Sequence, residues 1–135
     1  MDLMQIMKVS GSGMAAQSAR MKVISENIAN VDSAEGDRGG PYRRQVVSFQ
    51  TVTDNATGLK KVKVASVTPD YHSPMRQVFD PTHPAANAQG FVEMPNVDTV
   101  IESTDLREAS RAYEANINVI ENTKNMMARS LDLMR

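Results

Sequence analysis

With no cysteine in the chain, the two histidines, His72 and His83, are the first candidates for catalysis or metal binding. They stand eleven residues apart in turn-forming sequence, without the H-E-x-x-H arrangement that puts two ligands on one helical face. His83, close to both Pro81 and Pro84, reads as a turn or surface residue. No serine stands in a G-x-S-x-G elbow, and Gly11-Ser12-Gly13 reads as a hinge or helix start. Asp32, Glu35 and Asp37 cluster before Gly39-Gly40 but lack the twelve-residue calcium-loop pattern, so a solvated loop is expected. Gly36 to Gly40 lacks the lysine of a phosphate loop and follows helical rather than strand sequence. We therefore expect no catalytic residue, no metal, no cofactor and no small-molecule substrate.

Composition points to a part that assembles. The chain has 135 residues, one ordinary domain by length, and hydrophobic residues reach 41% with three Tyr, three Phe and no Trp. Ten methionines make up much of the difference, and their flexible thioethers suit helix interfaces better than a single rigid core. The formal net charge is −1, with no basic tract to neutralise phosphates, so nucleic acid is not an expected partner. No apolar run exceeds three residues, far below the roughly 20 needed to cross a bilayer. The first nine residues, interrupted by Asp2 and Lys8, are too short and mixed for a signal-peptide core.

Helix breakers divide the chain. All six prolines and five of the seven glycines fall between Gly36 and Pro95, and the flanks carry apolar residues three and four apart. At one end the repeat runs Leu3, Met7, Ser10, Met14, Gln17, Met21, Ile24, Ile28, Val31, a coiled-coil-like seam. Gly11 and Gly13 weaken helix, so a firm helix is expected to begin near Ser12 or Met14 and to end at Asn30 to Ser33. At the other end the repeat runs Leu106, Ala109, Tyr113, Ile117, Ile120, Lys124, Met127, Leu131, Met134, and Thr99 with Glu102 forms a capping-box pattern. That second helix, over 99–134, would be about 54 Å long, roughly twice the first, leaving part of its seam uncovered. Between them Tyr42 to Thr53 and Lys61 to Val67, around Asn55-Ala56-Thr57-Gly58, suggest a β-hairpin with one wet face. The proline-rich stretch 74–84 is expected to be extended and non-repetitive. The fold class is α+β, mainly helical: long terminal helices packed as an antiparallel coiled-coil-like pair, with a small hairpin and extended loops inserted. Residues 1–32 with 97–135 would form a terminal helical unit and 33–96 the insert.

Specific strings then narrow the class. Ser12-Gly13-Met14-Ala15-Ala16-Gln17, followed by Ile24 to Ser33 (ISENIANVDS), resembles the N-terminal signature of the bacterial flagellar rod and hook axial proteins. Gly39 to Gln45 (GGPYRRQ), Ser73-Pro74-Met75-Arg76, Phe79 to Pro84 (FDPTHP), Gly90 to Val97 (GFVEMPNV) and Ala109 to Asn116 (ASRAYEAN) resemble the proximal rod members of that family. The likeness runs in order from about residue 11 to 134. Ser33 stands where many axial relatives carry Thr, and the hydroxyl is kept.

That resemblance implies a structural subunit of the flagellar drive shaft, not an enzyme. It implies passage through the flagellar type III export apparatus, uncleaved, and polymerisation in the periplasm. The implied partners are other rod proteins and further copies of itself, at the base of the rod near the inner-membrane ring. The seam residues Met14, Met21, Ile24, Ile28, Val31, Leu106, Tyr113, Ile117, Ile120, Met127, Leu131 and Met134 would make the contacts within and between subunits. Asn27 and Asn30 would bond backbone at the helix end, or simply cap it. Arg43 and Arg44 would pair with acidic groups of a neighbour, or lie on a solvated loop. A soluble coiled-coil adaptor or chaperone in the cytoplasm is the alternative that the heptads alone would satisfy.

Overall fold

The computed structural model describes residues 2–35 and 39–135; of the acidic trio, Asp37 lies outside the described residues. Two long helices enclose two small antiparallel sheets: α1 (Leu3–Ala29), β1 (Gln45–Thr53), β2 (Lys60–Pro69), β3 (Arg76–Phe79), β4 (Phe91–Met94) and α2 (Thr99–Leu133). This is the expected mainly helical α+β architecture.

Helix α1 begins at Leu3, about nine residues before the expected start. The Gln5 side chain accepts from the Asp2 backbone N–H at 3.1 Å and closes the first turn. Gly11 and Gly13 do weaken an isolated helix, but here the turns around them lie against α2, with Ser10 and Ala16 buried. Tertiary burial outweighs a propensity cost of about 1 kcal/mol per glycine. The helices thus have 27 and 35 residues, a smaller disparity than the predicted twofold.

The helices run antiparallel. Gly13 faces Asn116, Arg20 lies 3.9 Å from both Asp105 and Glu108, and the Asn27 amide meets Glu102. Carried to the end, that register sets Leu3 level with about residue 126 of α2. Helix α2 is capped by Asp98, whose carboxylate accepts from the N–H groups of Val100 and Ile101 at 2.9 and 3.3 Å. The predicted box of Thr99 with Glu102 does not form, because the Glu102 side chain turns into the protein instead.

Strands β1 and β2 form the expected hairpin with a bulge at Ser48/Phe49. Strand β1 starts three residues later than predicted, and β2 runs longer at both ends. Side chains on both faces are largely exposed where one wet face was expected. Its turn uses Asp54, which accepts from the Ala56 N–H at 3.0 Å, and Gly58 at φ 68°, a conformation that favours glycine. Strands β3 and β4 pair Arg76 with Met94 through Phe79 with Phe91. This second hairpin corrects the expectation of non-repetitive chain over 74–84. Its strands have four residues each, too short for period-two alternation to be visible beside the prolines.

Candidate assembly site

The buried line between the helices coincides only in part with the predicted seams, sharing Ser10, Ile24 and Ala109 with them. On α2 the buried positions are Glu102, Ala109 and Thr123, and Asn116 lies against Gly13. These four stand seven residues apart, so one stripe of small and polar side chains faces α1. On α1 the matching stripe is Ser10, Gly13, Ala16, Val23, Ile24 and Asn27. A Cβ on Gly13 would sit 3.0 Å from the Asn116 side-chain nitrogen, so glycine lets the backbones approach here. Thr123 satisfies its own hydroxyl on the Val119 carbonyl at 2.7 Å.

Of the residues expected at the interface, Ile24 and Asn27 belong to that stripe and the others flank it. Ile24 and Asn27 are buried; Met14, Met21, Ile28, Asn30 and Val31 are half-buried. On α2, Leu106, Tyr113, Ile117, Ile120 and Met127 are half-buried, whereas Leu131 and Met134 are exposed. The structure therefore brings the middle of both seams beside each other and leaves the end of α2 without α1 alongside.

At the other end of the pair a polar node replaces apolar packing. Asn27, 1% exposed, uses its whole carboxamide. Its Oδ1 accepts from the Tyr42 hydroxyl at 2.8 Å and from the Gln45 N–H at 2.9 Å. Its Nδ2 donates to the Gln45 carbonyl at 2.9 Å and to Glu102 Oε2 at 3.2 Å. Glu102, fully buried, takes its second partner from Arg44, whose Nε donates to Oε1. The same guanidinium lies 3.7 Å from Asp70 and 3.7 Å from Asp105. The Arg44 N–H donates to Asn96 Oδ1 at 2.8 Å, and Asn96 Nδ2 donates to the carbonyls of Asp70 and Ser73. One cluster thus joins the end of α1, the approach to β1, the chain after β2 and the first turn of α2.

Electrostatics follow from that wiring. Burial works against the Arg44 charge, but the Glu102 hydrogen bond and the surrounding carboxylates outweigh it and raise its pKa. Burial, then the negative charges of Glu26 and Glu102, raise that of the Tyr42 phenol. Asp70 accepts from the Ser73 hydroxyl and from the N–H groups of Ser73 and His72, which with Arg44 lower its pKa to about 2. Arg43 donates to the Asp70 carbonyl at 3.2 Å and lies 4.8 Å from the Tyr71 ring centroid. Arg43 and Arg44, expected to face a neighbour or solvent, thus both find partners within their own chain. Asn30 donates to the Glu26 carbonyl at 2.8 Å, while Asn27 bonds the backbone of a strand rather than its own helix end.

Glu102, Tyr42, Asp70, Asn96, Gly13, Asn116 and Thr123 were not singled out as contact residues from sequence. The signal available was the interval of seven through 102, 109, 116 and 123, which a search for apolar periodicity passes over. Among the described residues no group of three or more acidic or histidine side chains is placed to hold a metal ion.

Known proteins match this framework at both ends. The family model described as flagella basal body rod protein matches residues 7–36, and the one described as flagellar basal body rod FlgEFG protein C-terminal matches residues 88–133. The flagellar basal-body rod protein FlgC of Salmonella typhimurium is 44% identical over 98% of this chain and 98% of its own length. That of Agrobacterium fabrum is 43% identical over 95% of this chain and 92% of its own, and that of Bacillus subtilis 36% identical over 94% and 95%. Two helices matched by rod-protein models, in a chain matched nearly end to end by rod subunits, lead to one conclusion: the chain belongs to the FlgC family of flagellar basal-body rod proteins.

Proposed function

We propose that this rod subunit is a building block of the proximal rod, exported through the flagellar type III apparatus and assembled in the periplasm through its terminal helices. Its partners are other rod proteins and further copies of itself, near the inner-membrane ring. Residues 1–32 with 97–135 act as the assembly unit, and 33–96 as an insert oriented by the polar node. The role is mechanical, with no reaction catalysed, no cofactor, no nucleic acid and no small-molecule substrate. No helix among the described residues is long and apolar enough to cross a membrane.

The observation that carries this reading is the end of α2. Past the level of Leu3 it continues for about 10 Å with no α1 beside it. Its apolar side chains there stand in water, Leu131 62%, Leu133 88% and Met134 76% exposed. An apolar helix end left open in a single chain fits burial against neighbouring subunits. The flanking side chains Met14, Met21, Ile28, Val31, Leu106, Tyr113, Ile117, Ile120 and Met127, all half-buried, extend the same surface along the pair.

The test is the double substitution Leu131→Asp, Leu133→Asp. Both positions are exposed, so the folded subunit should survive. The expected result is secreted subunit, absent from purified basal bodies, in non-motile cells. Normal motility with the variant present in basal bodies would overturn the proposal.

A further inference from the structure

Each edge of the β1–β2 hairpin is treated differently. On β2 the Val62 N–H donates to the Ser12 hydroxyl of α1 at 3.2 Å, so that edge is covered. On β1 the outward groups of Gln45 are both taken by Asn27. A carboxamide has the donor and acceptor of a peptide group, and Asn27 makes the two bonds that one residue of an adjoining strand would make.

Beyond Gln45 that edge continues without a partner. Gln45 faces outward, and Thr51 pairs with Val62, whose N–H also faces outward. Odd-numbered residues of β1 therefore turn their N–H and C=O to the edge throughout. Among the described residues no hydrogen bond reaches the outward backbone groups of Val47, Thr51 or Thr53. Edge strands are commonly protected by charges or proline. Here β1 reads QVVSFQTVT with neither, whereas the covered β2 carries three lysines and a proline.

The start of this edge borders a cleft of about 250 Å³. It is lined by Val23 and Ile24 of α1, by Val46, Val47 and Phe49 of β1, and by Glu102 and Asp105 of α2. Arg20 and Arg44 stand beside the two carboxylates, so the rim is close to neutral.

We propose that the β1 edge is a strand-docking site, and that its occupant is one extended, uncharged, β-branched segment of a neighbouring subunit. The segment adds to β1 where Asn27 stops, bonding main chain to main chain, with alternate apolar side chains on Val23, Ile24 and Phe49. This rests on the rod reading only for the source of the segment.

The test uses the full chain in the flagellum. Proline at an outward position removes an edge donor but no hairpin bond, so Thr51→Pro and, independently, Thr53→Pro should keep the hairpin. Folding is checked by circular dichroism and thermal melting of each purified subunit. Both variants should be secreted yet fail to enter basal bodies. With no substitution at all, amide exchange at Val47, Thr51 and Thr53 should slow at least about tenfold between the free subunit and purified basal bodies. Equal exchange rates in the two states, or a folded proline variant that supports normal motility, would overturn the docking strand while leaving the rod assignment standing. Loss of the wild-type chain from basal bodies would remove both.

Discussion

The two ends of the helix pair are built on opposite principles. Where α1 finishes, Asn27, Arg44 and Glu102 meet in a buried node in which every carboxamide position has a partner. Where α2 finishes, leucines and methionines stand in water beyond the start of α1. Buried polar groups cost several kcal/mol if misaligned, so the node accepts one register between the helices and one placement of the insert. Apolar surface is non-directional and tolerates several partners. One end specifies the subunit, and the other is available to whatever adjoins it.

The most severe way to break that contrast is Glu102→Ala. It strands Arg44 and removes one acceptor from Asn27, so the free subunit should lose about 3 kcal/mol, the lower part of the range for a broken buried pair, because Arg44 retains some contact with water. Chemical denaturation measures it, and a loss below about 1 kcal/mol would mean that the node does not hold the helices.

A smaller effect separates the two glycines of α1. Gly13→Leu drives a side chain into Asn116 and should cost about 1–3 kcal/mol. Gly11→Ala meets nothing within 4 Å and should instead stabilise by about 0.5–1 kcal/mol through helix propensity. Equal responses in thermal melting would show that the helices do not touch as described.

The mildest effect is on pH. The lowered pKa of Asp70, about 2 against an ordinary 3.8, means that its ionised form favours the folded state. That contribution is present above the ordinary carboxylate range and is lost as pH falls through about 2. Asp70→Asn should therefore flatten the part of the stability profile between about pH 4 and pH 2, read by denaturant midpoints at each pH. An unchanged slope would separate Asp70 from the node.

Much of the architecture was legible in the residues. Apolar spacing marked both helices, and β-branched runs around Asn55 to Gly58 marked the first hairpin. The start of α1 was misread because Gly11 and Gly13 disfavour helix locally, and only contact with α2 reverses that. The strands β3 and β4 are too short to leave a pattern. Glu102 looked like a capping residue and Arg44 like a surface charge, because nothing local indicates that 58 residues of chain return one to the other.

The order of residues by itself determined that both ends of the chain are helical, where the first hairpin turns, and which protein family the chain belongs to, since these follow from local periodicity and from strings read in line. Tertiary structure alone decided which stripe of each helix faces the other, because close approach selects small and hydrogen-bonded side chains over the larger apolar ones beside them. It also decided that Asn27 ends up against the edge of β1, a contact between segments 18 residues apart that no local preference encodes.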